Sequence, residues 1–117
     1  MVTTPPNPAQ QALLGRVRAA LPTGHPVREV AMFGGRAVVL DGTMLLSVGK
    51  AGDLLVRVDP TRHEELLAHP GARPARMGAD RPMGPGWISV EAAGLCTDEQ
   101  LARWLALALE HHATASR

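Results

Sequence analysis

The sequence has no tyrosine, one phenylalanine and two tryptophans, so aromatic residues make up only 3% of its 117 positions. A nucleic-acid surface built on stacked bases needs more rings than that. Cys96 is the one cysteine, which excludes an intramolecular disulfide and any cage of several cysteines around zinc or an iron–sulfur cluster. Charge of one sign is missing too. Twelve basic residues stand against eleven acidic ones, a net charge of +1, where a dedicated nucleic-acid binder carries a basic excess. The longest uninterrupted apolar run, Trp104 to Leu109, falls far short of the roughly 20 residues of a membrane span. Met1-Val2-Thr3-Thr4-Pro5-Pro6 has neither the basic n-region nor the apolar h-region of a secretory signal. A cytoplasmic protein with no membrane partner is the expectation.

What is present suits one small soluble domain. The apolar share is 45% and the charged share 20%, ordinary for a globular chain, and this length supports one real core without staples. Residues 1–6 read as a disordered N-terminal tail, 7–112 as a single domain and 113–117 as a C-terminal tail.

Asn7-Pro8-Ala9-Gln10 reads as a helix start, with Asn7 as cap, proline at the first helical position and Gln10 at capping-box spacing. Leu13, Leu14, Val17, Ala20 and Leu21 then share one helical face. From Val27 to Asp59 the period changes to two. Val27–Phe33 and Arg36–Leu40 are β-rich runs parted by Gly34-Gly35, and Asp41-Gly42 is a strong hairpin signal. Met44, Leu46 and Val48 alternate with Leu45, Ser47 and Gly49. Leu54, Val56 and Val58 alternate with Leu55, Arg57 and Asp59. Turns this short imply antiparallel neighbours. Asp59-Pro60 opens a short helix carrying Leu66 and Leu67. Arg73 to Met77 reads as a weak strand, 78–86 as loop and Trp87–Glu91 as a strand. Thr97-Asp98-Glu99-Gln100 is a complete capping box, and Leu101, Trp104, Leu105, Ala108 and Leu109 carry an apolar stripe to about His112. The fold class is α+β: an antiparallel sheet of about five strands with flanking helices, in the order α-β-β-β-α-β-β-α. One more short strand fits before Gly34.

No constellation for catalysis emerges. Among His25, His63, His69, His111 and His112, no pair has the i, i+4 spacing of a helical zinc site, and no metal or other cofactor is expected. His112 lies on the extension of the last apolar stripe and reads as a packing residue. Cys96 precedes a helix N-terminus but has no histidine near it in sequence to act as a base. Gly49-Lys50-Ala51-Gly52 and Gly84-Pro85-Gly86 lack the spacing and the following helix of a phosphate loop and read as turns. Glu64-Glu65 suits the solvated face of a short helix. Arg73, Arg76 and Arg81 cluster in a Pro/Gly-rich stretch, where a solvated loop is favoured over a phosphate-binding patch. Arg57 interrupts an apolar strand. Three readings of it stay open: a half-wet sheet face, a cross-strand acid, or a ligand anion.

Met32-Phe33-Gly34-Gly35, the Asp41-Gly42 turn and Leu-Leu-Val-Arg-Val-Asp at 54–59 together resemble the TfoX/Sxy N-terminal domain family. Arg81-Pro82-Met83, then Gly86-Trp87-Ile88-Ser89-Val90, then a last helix from Thr97 holding Trp104, agree with it in order and spacing. The similarity covers residues 10–112. The resemblance implies an antiparallel sheet flanked by helices, and kinship with regulators of competence for DNA uptake. Those regulators carry a second domain related to helix-hairpin-helix modules and cooperate with a cyclic-AMP-receptor-type activator at promoters. The 117 residues are expected to comprise the first domain alone. What the resemblance implies here is a non-enzymatic regulatory module with a protein partner such as a transcription factor, since the family supplies no catalytic residues to map. The other reading is a module for a small ligand with an anionic and an apolar part. Met32, Phe33, Gly34, Gly35, Arg57, Met83 and Trp87 are the candidate contacts. A homodimer through the sheet face of Leu45, Leu55 and Arg57 is also expected, and tight direct DNA binding is not.

Overall fold

Asp41 and Gly42 adopt φ of 53° and 84°, the consecutive left-handed pair that a tight two-residue hairpin requires. In the computed structural model, which describes residues 8–21, 27–32, 35–77 and 81–115, this turn joins β2 (Gly35–Leu40) to β3 (Thr43–Val48). Ahead of them lie α1 (Pro8–Ala20) and β1 (Val27–Met32); β4 (Leu54–Arg57) follows. Asp59 caps a 3-10 turn, Pro60–Arg62, that runs into the one-turn helix α2 (His63–Leu66). The short strands β5 (Ala72–Pro74), β6 (Arg76–Met77) and β7 (Arg81–Pro82) precede β8 (Trp87–Val90). A second 3-10 turn, Ala92–Leu95, leads to α3 (Asp98–Ala115).

The fold is α+β, with a six-stranded antiparallel sheet in the order β1-β2-β3-β4-β8-β5 and a separate ribbon of β6 and β7. The expected count of about five is one short, and four strands rather than three precede α2. Val27–Met32 and Gly35–Leu40 pair along their whole lengths, so both are full strands. The expected strand over 73–77 breaks at Ala75: Ala72–Pro74 pairs with β8, whereas Arg76–Met77 pairs with Arg81–Pro82, which the sequence reads as loop. That ribbon is closed by backbone bonding, Met83 N–H to the Ala75 carbonyl at 2.9 Å, and two-residue strands leave no periodic side-chain signal.

All three helices serve one core. Leu13, Leu14, Val17 and Leu21 from α1, Leu66 from α2, and Leu101, Trp104, Leu105 and Ala108 from α3 join Val38, Leu46, Val48, Leu54, Val56, Ile88 and Val90 of the sheet. Asn7 lies outside the described residues. Gln10, expected to serve the cap, is buried, and its amide donates to the Val48 carbonyl at 3.3 Å. The capping box of α3 is complete: Thr97 Oγ1 accepts from Gln100 N–H at 3.1 Å, and Gln100 Oε1 from Thr97 N–H at 3.0 Å.

Leu45 corrects the sequence reading. Alternation assigns it to the face of Leu55, yet it is 1% exposed and belongs to the core. Val38 pairs with Leu46 but Val39 with Met44, so Leu45 is the extra residue of a β-bulge. A bulge interrupts strict alternation, and both leucines reach the helix side.

Candidate functional site

The second face of the sheet carries none of the helices among the described residues, since their buried side chains all enter the one core. Cross-strand register draws a row along it: Val30, Ala37, Ser47, Leu55, Ser89 and Arg73. Ala37 and Ser47 are buried, Val30, Leu55 and Ser89 half-buried. Beside this row, Arg57 opposes Trp87, and its guanidinium carbon lies 5.5 Å from the indole centroid. Both side chains are half-buried. A cation over a ring face at this distance contributes about 0.5–1 kcal/mol where water has access. Arg57 has no carboxylate partner among the described residues, which removes the cross-strand acid from its three readings.

Local backbone chemistry sets Trp87. Gly86 takes φ +94°, and a Cβ there would stand 2.9 Å from the Val58 carbonyl oxygen. The carbonyl of Gly86 accepts from Val58 N–H at 2.8 Å, and its N–H donates to His63 Nδ1 at 3.1 Å. This clasp registers the start of β8 against the end of β4, and so brings Trp87 opposite Arg57. Ala75 N–H donates to the Trp87 carbonyl at 3.1 Å, which draws the 75–83 hairpin and the half-buried Met83 to the same end of the sheet.

The expected contact set divides. Arg57, Trp87 and Met83 gather at the β4–β8 end. Gly35 pairs with Met32 beyond the Arg36–Val48 pair, at the opposite end of the strands. Its local reason is packing: a Cβ on Gly35 would lie 2.7 Å from the Val48 carbonyl oxygen. Phe33 and Gly34 lie outside the described residues. Val39 and Ser89 also belong to the face and were missed; the alternation of Val38 with Val39, and of Ile88 with Ser89, carried the signal.

Elsewhere the residues do structural work. Arg73 meets Glu91 at 2.9 Å, and Arg62 meets Glu65 at 2.8 Å. Gly49-Lys50-Ala51-Gly52 is a turn, with Gly52 N–H on the Gly49 carbonyl and Gly49 N–H on that of Asp53. Cys96 is exposed, and its thiol faces the carbonyls of Ala92 and Ala93. His112 is 9% exposed, in the packing position expected of it, with Nε2 3.8 Å from the Asp41 carboxylate. A cleft of about 140 Å³ between Asp59, Arg62 and the α3 residues Glu110 and His111 is smaller than the several hundred Å³ of usual ligand pockets. Among the described residues, no three His, Cys, Asp or Glu side chains are placed to hold a metal ion, and no helix is long and apolar enough to cross a membrane.

The family model described as the TfoX N-terminal domain matches residues 19–112, from the end of α1 into the last turns of α3. No curated protein and no solved structure matches the chain.

Proposed function

Because the chain belongs to the TfoX N-terminal domain family, we propose that it is a non-enzymatic cytoplasmic regulator acting through protein–protein contact. The observation that supports this reading is the half-buried Arg57–Trp87 pair beside Leu55 on the sheet face that carries none of the described helices. Arginine and tryptophan are among the side chains that most often dominate binding energy at protein interfaces, because each brings a large contact area and can donate hydrogen bonds from a planar group. The partner is a transcription factor, in keeping with the competence and transcription regulators of the family.

The test is affinity capture from cell extract with wild type, Arg57→Ala and Leu55→Glu, each first shown to melt normally. A transcription factor retained by wild type and lost by both variants is the expected result. Capture indifferent to both removes this face from the contact. That Arg57 meets no carboxylate among the described residues supports a second reading, a small ligand with an anionic and an apolar part. A metabolite retained by wild type, and by Leu55→Glu, but not by Arg57→Ala would favour it.

A further inference from the structure

The two edges of the six-stranded sheet are built differently. At one edge β5 is three residues long and ends in Pro74. A short edge strand with a proline is blunted against pairing with another chain, because proline offers no donor. At the other edge β1 runs six residues, Val-Arg-Glu-Val-Ala-Met, without proline, glycine or lysine. Its residues bond to β2 on one side. On the other side none of its backbone groups meets a partner among the described residues. Among the described residues Val27 is the one exposed large apolar side chain, at 38%. Neither charge on β1 guards the edge effectively, since they are opposite in sign and Glu29 is held on both carboxylate oxygens by Arg18.

We propose that β1 pairs antiparallel with β1 of a second copy of this chain, about a two-fold axis through Val30. A two-fold axis normal to a sheet sets residues of the same face opposite one another, so it must pass through a residue. Through Arg28 it opposes arginine to arginine; through Glu29 it opposes two glutamates. Like charges directly across strands are destabilising. Through Ala31 it leaves only residues 30–32 of β1 overlapping. Through Val30 it opposes Val30 to the partner's Val30, Glu29 to the partner's Ala31 and Arg28 to the partner's Met32. This register overlaps residues 28–32 and opposes no like charges. Two six-stranded sheets then become one, and the buried edge no longer offers unpaired backbone to other chains. Both Arg57–Trp87 pairs stay clear of the seam and lie on the same side of the joined sheet.

Sedimentation of the full chain from micromolar to near-millimolar concentration tests the pairing. Wild type is expected to dimerise reversibly. Val30→Lys, which sets two lysines against each other at the axis, weakens the dimer by about fivefold. A second variant keeps the test independent of any folding defect in the first. In a Cys96→Ser background, mild oxidation of Val30→Cys closes a disulfide between copies, because directly opposed Cα atoms lie about 4.5–5.5 Å apart. Glu29→Cys does not, since it opposes the partner's Ala31. A wild-type monomer at every concentration overturns the proposal, as does a dimer that Val30→Lys leaves intact and Val30→Cys fails to crosslink.

Discussion

Gly86 ties the end of β4 to the start of β8, and a comparison with Gly84 shows what that requires of it. Both have positive φ, +94° and +96°, but a Cβ on Gly84 meets open space while one on Gly86 meets Val58 and Pro60. Gly84→Ala should therefore cost about 1–2 kcal/mol, the left-handed penalty alone. Gly86→Ala adds a backbone clash and loosens the clasp between β4 and β8. Urea melts should rank Gly86→Ala as the less stable, and its tryptophan emission should shift as Trp87 moves; equal melts would show that the clasp gives way freely. At Asp59 the decisive chemistry is protonation. Its carboxylate accepts from Thr61 N–H at 2.9 Å and from the Thr61 hydroxyl at 2.8 Å. The backbone bond first, then the hydroxyl, hold its carboxyl below the ordinary aspartate range. A lowered folded value means stability that is present above the unfolded value and lost as pH falls through the folded one. The difference in urea midpoint between wild type and Asp59→Ala should thus be full at neutral pH and shrink in acid. A difference constant across pH would assign the effect to packing instead.

Among the elements, α3 sets the sharpest contrast between burial and capping. Trp104 is 2% exposed, packs in the core, and meets the His69 ring edge-on at a centroid distance of 5.6 Å. Removing it leaves a large cavity, so Trp104→Ala should cost about 3–5 kcal/mol. Thr97→Ala loses an exposed cap and should cost about 1 kcal/mol. Denaturant melts in the reverse order would refute the placement of the stripe. The charged ties from α1, Arg18 to Glu29 and Arg16 to Asp98, each keep at least one exposed partner in water and contribute little. Apolar burial therefore positions α1. At its C-terminal end α3 runs three residues past His112, to Ala115.

For the whole molecule, near-neutral charge and the disposition of its arginines argue against DNA as a direct target. Arg103, the one basic side chain on α3 able to read a base or grip a phosphate, lies 3.4 Å from His69 Nδ1. Arg73 is matched by Glu91, and the net charge is +1. At so small a net charge there is little counterion release to drive association. A gel shift at physiological salt should show no tight site-specific complex; nanomolar binding to one sequence would overturn this.

Much of this architecture is legible in the sequence. Capping boxes and helical stripes depend on residues within one or two turns of each other, so Thr97-to-Gln100 and the Leu101–Ala108 stripe could be read directly. The Asp41-Gly42 turn and the alternation over 54–59 are equally local, and they placed Leu54 and Val56 in the core and Arg57 on the other face. What folding decided was contact between distant segments. Arg57 and Trp87 are 30 positions apart in number and meet only because the Gly86 clasp sets the register of β4 against β8. Leu45 entered the core through a bulge, a property of how two strands pair and not of either strand's pattern. The candidate contacts divided for the same reason. Nearness along the chain places Gly35 and Met32 together, but the sheet's register, set by backbone hydrogen bonds across strands, sends them to the end away from Arg57.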